Sequence, residues 1–255
     1  MNIEKYRFIA HRGIHIEGTD IVENTIPAFE LAVKNGIGIE LDVQITKDNQ
    51  LVVVHDSNLK RITGVNEQVN RLTLEEIKRL YVLNTKNKIP TLYEVLKVID
   101  EKVPIIIEIK NTGKVGNLEK ILLNSLKKYK GEYVIESFNP LSLLWFKIHD
   151  KSVVRGQLAA KKIGSISYVL NFFLSNMVFN IFTKPDFIAY KIRDIDEKMY
   201  KKYNKKGIYL LSWTLRTKQE YYKYNKLCEG FIFDNYDEIK GFIDKENKKY
   251  EKEVW

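Results

Sequence analysis

Residues 37–56 read Ile37-Gly-Ile-Glu-Leu-Asp-Val-Gln-Ile-Thr-Lys-Asp-Asn-Gln-Leu-Val-Val-Val-His-Asp56. The first half is rich in β-formers, and the strand period of two places Glu40 and Asp42 on one face and Ile39, Leu41 and Val43 on the other. In a strand wrapped by helices the acidic face points inward, and two carboxylates in an interior need a cation. The stretch is a metal site in outline. Only Lys47, Asp48 and Asn49 separate the two apolar runs, too few for a parallel crossover, so residues 50–55 return antiparallel as a hairpin. With the turn centred near Asp48, paired residue numbers sum to roughly 97. That register sets His55 opposite Asp42 and brings an imidazole to the level of the acids.

Working outward, Tyr6 to Ala10 is a short strand that ends on His11-Arg12-Gly13. Asn24 or Thr25 caps a helix with Pro27 in its first turn, and Asn35-Gly36 stops it. Beyond the hairpin, Ser57 to about Lys88 is a polar excursion without a strong strand; Thr73 and Glu76 form a capping box for a short helix to Leu80. Loops of this length are usually functional or act as lids. Thr91 to Asp100 is an amphipathic helix, and the strand Val103 to Lys110 ends with Glu108 and Lys110 on one face. From Asn117 helix and strand alternate, with strands beginning near residues 133, 153, 186, 208 and 230. Without the returning hairpin strand, eight strands remain. The reading is an α/β fold, a (β/α)8 TIM barrel with a β-hairpin and an insertion of about 30 residues, 57–88, after the second barrel strand. The 255 residues suit one such domain over 1–255. The alternative, an open doubly wound sheet, lacks a glycine-rich phosphate turn.

The composition, 44% hydrophobic and 29% charged, is that of a globular protein. The net charge of +9 comes from lysines mixed with acids and tyrosines, as in residues 201–206. This reads as solvated helix faces rather than nucleic-acid binding, while still favouring anionic substrates. The lone Cys228 excludes an intramolecular disulfide and fits a reducing compartment, and no apolar signal region follows Met1. A cytoplasmic location is expected. Residues 163–183 carry no charge and are long enough to span a bilayer. A barrel needs its fifth helix there, so a packed helix is expected, with peripheral membrane contact as the second reading. The oligomeric state is not legible.

The polar groups that stand out fall at the C-terminal ends of the strands, where such a barrel carries its active site. His11 and Arg12 end the first strand, Glu40 and Asp42 the second, Glu108 and Lys110 the third, Glu136 and Ser137 the fourth, Trp213 the seventh and Asp234 the eighth. Singly, a strand-end histidine is more often a bonded core residue and a carboxylate pair a salt bridge. Their convergence on one mouth is what those readings do not explain. Glu40, Asp42 and Glu108, without cysteine or a zinc-spaced histidine pair, suit a hard divalent cation, Mg²⁺ or Ca²⁺, with Mn²⁺ as a further candidate. Arg12 and Lys110 beside it suit a phosphate, and His11 and His55 a general base and acid across a scissile ester.

These residues resemble the glycerophosphodiester phosphodiesterase family. The matching pieces are residues 9–13 (Ile-Ala-His-Arg-Gly), 23–25 (Glu-Asn-Thr), 38–43 (Gly-Ile-Glu-Leu-Asp-Val), 46–48 (Thr-Lys-Asp) and 53–56 (Val-Val-His-Asp) with Leu59, Arg61, Thr63 and Gly64. Glu108-Ile109-Lys110, Ser137-Phe138, Trp213-Thr214 and Asp234 follow more loosely. The resemblance implies a (β/α)8 barrel with its insertion at 57–88. It also implies His11 and His55 as the acid/base pair, Glu40, Asp42 and Glu108 as metal ligands, and Arg12 and Lys110 as phosphate contacts. Glu136 and Trp213 are added as substrate-binding residues. His15 and His149 match nothing and are read as surface residues, and Glu23 as ordering the loop that carries His11. The implied reaction converts a glycerophosphodiester, such as glycerophosphocholine or glycerophosphoethanolamine, to sn-glycerol 3-phosphate and an alcohol. A lysophospholipase D or related phospholipase at a membrane surface is the alternative, and a non-catalytic phosphate-binding barrel a third.

Overall fold

Alternating side chains decide how the strands sit. In β4 (Ile105–Ile109), Ile105, Ile107 and Ile109 pack outward with Leu92, Leu122 and Phe146 from the helices. Ile106 points the other way, into an inner cluster with Ile9, Val134, Phe187, Leu211 and Ile232. Period two thus feeds two cores from each strand. The computed structural model describes residues 3–111, 113–162 and 175–253. Around β4 stand β1 (Phe8–His11), β2 (Gly38–Ile45), β3 (Leu51–Val53), β5 (Tyr133–Ser137) and β6 (Arg155–Ala159), then β7 (Phe187–Lys191), β8 (Tyr209–Leu215) and β9 (Gly230–Phe233).

The strands run in the order β1-β9-β8-β7-β6-β5-β4-β2-β3, and β1 also pairs with β2. That extra pairing closes eight parallel strands into a barrel, with β3 hanging antiparallel from β2. Helices Ile26–Lys34, Leu92–Ile99, Asn117–Leu126, Pro140–His149, Glu197–Asn204 and Lys218–Tyr224 lie between successive strands, as the (β/α)8 reading expected. Gly156 leaves room at the inner layer, since a Cβ there would stand 2.1 Å from Phe187 Cζ.

Three expectations change. The hairpin register is one residue off: Val43 pairs with Val53 and Ile45 with Leu51, so paired numbers sum to one less than predicted and Asp42 aligns with Val54, whose N–H donates to Asp42 O at 2.9 Å. His55 lies beyond β3, where Gln44 Nε2 donates to the carbonyls of Val54 and His55. A side-chain amide, not the pleat, sets its place. Second, the insertion is more than a polar excursion. Leu59, Ile62, Val69, Ile77, Val82 and Ile89 pack with Val52 and Val54 of the hairpin into a core of their own; the predicted capping box at Thr73 and Glu76 opens helix Leu74–Arg79. Third, of the predicted helix over 163–183, to which the membrane contact was also assigned, Asn180–Thr183 is helical, while residues 163–174 lie outside the described residues. Among the described residues no helix is long and apolar enough to cross a membrane.

Candidate active site

Strand register builds the acid cluster. Asp42 on β2 is level with Glu108 on β4, and Glu108 with Glu136 on β5; Glu40 lies two residues back on β2, level with His11. All four acids are buried, with Asp42 and Glu136 each 1% exposed. One carboxylate oxygen from each of Glu40, Asp42 and Glu108 lies within 4.8 Å of the others. Lys110 Nζ is 2.8 Å from Glu108 Oε1 and 3.3 Å from Asp42 Oδ1. Arg12 Nε is 3.4 Å from Asp42 Oδ2, and its left-handed backbone, φ 59°, lets its N–H donate to Glu40 Oε2 at 2.9 Å.

Crowding splits these acids. Burial pushes Glu40 well above the usual carboxylate range, and Asp42, Glu108 and Glu136 add to it. Burial and the neighbouring Glu108 do the same to Glu136. Glu108 also rises, because burial outweighs Lys110. Burial acts on Asp42 too, but Lys110 and Arg12, with His55 and His11, outweigh it and hold Asp42 low. Four buried carboxyl groups stand beside Arg12 and Lys110, and among the described residues Asp42 Oδ1 and Glu136 Oε2 have no hydrogen-bond partner. This crowding of buried acids with unpartnered oxygens, and a donor set made wholly of oxygen, fit a hard divalent cation on Glu40, Asp42 and Glu108.

Each imidazole has a carboxylate behind it. His11 Nδ1 is 2.8 Å from Asp234 Oδ1, brought from just past β9 because β9 pairs with β1. His55 Nδ1 is 2.7 Å from Asp56 Oδ1. A carboxylate can only accept, so it keeps the proton on Nδ1 and leaves Nε2 for proton transfer. Burial holds His55 below its usual range, with Lys110 and Arg12 acting the same way against Asp42 and Asp56. Behind each aspartate stands an arginine, Arg216 at Asp234 and Arg61 at Asp56.

Every predicted site residue except Asp42 lines one cavity of about 180 Å³. Asp42 touches two of its walls, Arg12 and Lys110. Phe138 and Trp213, edge to face at 5.7 Å, form an apolar side with Leu158 and Ile232. The Trp213 indole N–H is anchored on Ala189 O at 3.1 Å. His149 is exposed and stacks on Trp145, as expected of a surface residue. His15 is partly exposed in the wider groove and also reaches toward the site, with Nε2 3.9 Å from Asp234 Oδ1. Glu23 pairs with Arg12, the residue after His11 on the same loop. The sequence reading gave no chemical role to Asp56 or Asp234, and read Asn24 only as a possible helix cap. Asp56 is the neighbour of His55 in sequence, a usable signal. Asn24 Nδ2, which donates to Asp42 Oδ2 at 2.8 Å, gave none beyond its motif.

A family described as the glycerophosphoryl diester phosphodiesterase family matches residues 11–238, nearly the whole chain. The chain belongs to that family. Among its relatives, the glycerophosphodiester phosphodiesterase of Caldanaerobacter subterraneus is 44% identical over 147 residues, 53% of this chain and 59% of that protein. YhdW of Bacillus subtilis is 31% identical over 251 residues, 94% and 97% of the two chains. Human lysophospholipase D GDPD1 is 37% identical over 145 residues, 51% of this chain and 45% of that protein. The alignments thus span about half of several curated relatives and nearly all of YhdW. A solved phosphodiesterase of Oleispira antarctica, in complex with the product sn-glycerol-3-phosphate, superposes with a TM-score of 0.79 at 23% identity, covering 93% of this chain and 96% of that one. A Thermotoga maritima glycerophosphodiester phosphodiesterase gives 0.72 at 27%, covering 94% and 97%. The glycerophosphoryl diester phosphodiesterase fold thus accounts for the barrel.

Proposed function

We propose that this protein hydrolyses glycerophosphodiesters, such as glycerophosphocholine or glycerophosphoethanolamine, to sn-glycerol 3-phosphate and an alcohol, with a divalent cation on Glu40, Asp42 and Glu108. The observation that carries this reading is the pair of aspartate-backed imidazoles, His11 and His55, lining one cavity with the acid cluster. When bound, the cation supplies Lewis-acid stabilisation of the charge that develops on the phosphate oxygens. Arg12 and Lys110 hold the phosphate by charge-assisted hydrogen bonds. One imidazole takes a proton from the nucleophile at its Nε2, and the other gives one to the leaving alkoxide. Glu136, whose carboxyl burial and Glu108 shift upward, meets a substrate hydroxyl, and Trp213 walls off the glycerol. The cavity is below the size of drug-binding sites, suiting a small substrate. A wider groove of about 900 Å³ between residues 15–23 and 83–85 is lined in part by Asp234, the partner of His11.

Release of glycerol 3-phosphate, followed by a coupled assay over several headgroups with chelator and Mg²⁺, Ca²⁺ or Mn²⁺ added back, tests the proposal. Release that stops with chelator and returns with one of these ions supports it. No release from any diester with any of them rejects it. The lone cysteine supports a cytoplasmic setting. The second reading, a lysophospholipase D at a membrane surface, is supported by exposed Leu141 and Ile148 beside Ile181 and Phe182 on two neighbouring helices. Preference for lysophosphatidylcholine together with flotation on liposomes would favour it.

A further inference from the structure

Arg61 belongs to the insertion, on the short helix Lys60–Thr63, and is not among the residues that line the cavity. Its guanidinium nevertheless joins two parts of the site. Nε donates to Asp56 Oδ2 at 2.6 Å and Nη2 to Asp56 Oδ1 at 3.0 Å, and Asp56 Oδ1 faces His55 Nδ1. Nη2 also donates to Glu23 Oε1, and Glu23 Oε2 accepts from Arg12 Nη1 at 3.1 Å. We infer that Arg61 is a positioning residue that sets His55 through Asp56 and Arg12 through Glu23 with one planar group.

The physical reason is charge and shape. Asp56 and Glu23 converge on the same cation, and without it they repel each other while each pulls on a residue of the site. A fork of N–H groups serves the two carboxylates in different directions; an ammonium on a flexible stem does not hold both in plane. Arg61 is 48% exposed at its side chain, so its replacement removes the clamp without opening a core cavity. The insertion's own core, which holds Ile62 next to Arg61, gives the clamp a rigid base.

The inference rests on the proposed function, and its test separates the two. In the glycerol 3-phosphate assay, Arg61→Gln should lower kcat at least tenfold and raise KM several-fold; Arg61→Lys should recover less than half of either loss. Asp56→Asn should reproduce the kcat part and Glu23→Gln the KM part. In a His55→Ala background, Arg61→Gln should cost less than twofold further in kcat, because its route to the chemistry is gone. An Arg61→Gln variant within twofold of wild type, or one whose kcat loss persists undiminished in His55→Ala, overturns the inference and leaves the proposed function standing. If wild type releases no glycerol phosphate, the proposed function fails and proton NMR decides the clamp. The downfield Nδ1–H resonance of His55 should be present in wild type and lost in Arg61→Gln; its retention overturns the inference.

Discussion

His11 and His55 each sit at the end of a short polar chain, and in the proposed reaction those chains set which ring nitrogen exchanges the proton. His11→Ala and His55→Ala should each lower kcat by roughly 10²–10⁴-fold, the usual worth of general acid–base catalysis. Cation binding, measured by calorimetry, should survive, because Glu40, Asp42 and Glu108 are untouched. Glu23 makes a separate prediction in acid. Burial acts upward on its carboxyl, but Arg12 and Arg61 outweigh it and hold it below its ordinary value of 4.5. A carboxyl depressed by folding stabilises the native state above its unfolded value, and the gain is lost as pH falls through the folded value. The urea-unfolding advantage of wild type over Glu23→Gln should therefore be constant from neutral pH down to about 5 and close below 4.5. An advantage that persists unchanged in strong acid would contradict the pairing.

At the scale of elements, the insertion and the hairpin are one unit. Val52 and Val54 of the hairpin are packed with Ile62, Ile77 and Val82, and His55 follows directly. Ile77 is fully buried, so Ile77→Ala should cost about 2–5 kcal/mol by the transfer and cavity terms together. That loss falls on the unit carrying His55, Asp56 and Arg61. Activity should vanish at a lower urea concentration than the far-ultraviolet dichroism of the barrel, and coincident loss of the two would show that the insertion does not loosen on its own. The capping box at Thr73 was legible because it is set by residues three apart. The insertion's core was not, since its apolar residues are spaced irregularly and meet only when the segment folds back on β3.

For the whole molecule the balance of buried charge is the governing quantity. With the acids of the mouth outnumbering Arg12 and Lys110, a divalent cation should stabilise the native state by about 2.7 kcal/mol at one hundred times its dissociation constant. The unfolding temperature should rise with cation and fall back with chelator, and this response should disappear in Asp42→Asn. A rise of the same size in that variant would place the ion elsewhere. Placing Glu40 with Asp42, and Glu108 with Lys110, needed only the strand period, and the alternation of strands and helices was enough to announce the barrel; both are local properties of consecutive residues. The pairing of His11 with Asp234, residues 223 apart, the one-residue shift of the hairpin and the bridge from Arg61 to Glu23 were decided by the tertiary structure. The first depends on closure, which sets β9 against β1, the second on the local pairing of β2 with β3, and the third on the insertion packing back against the hairpin; no repeat within a single strand carries these contacts.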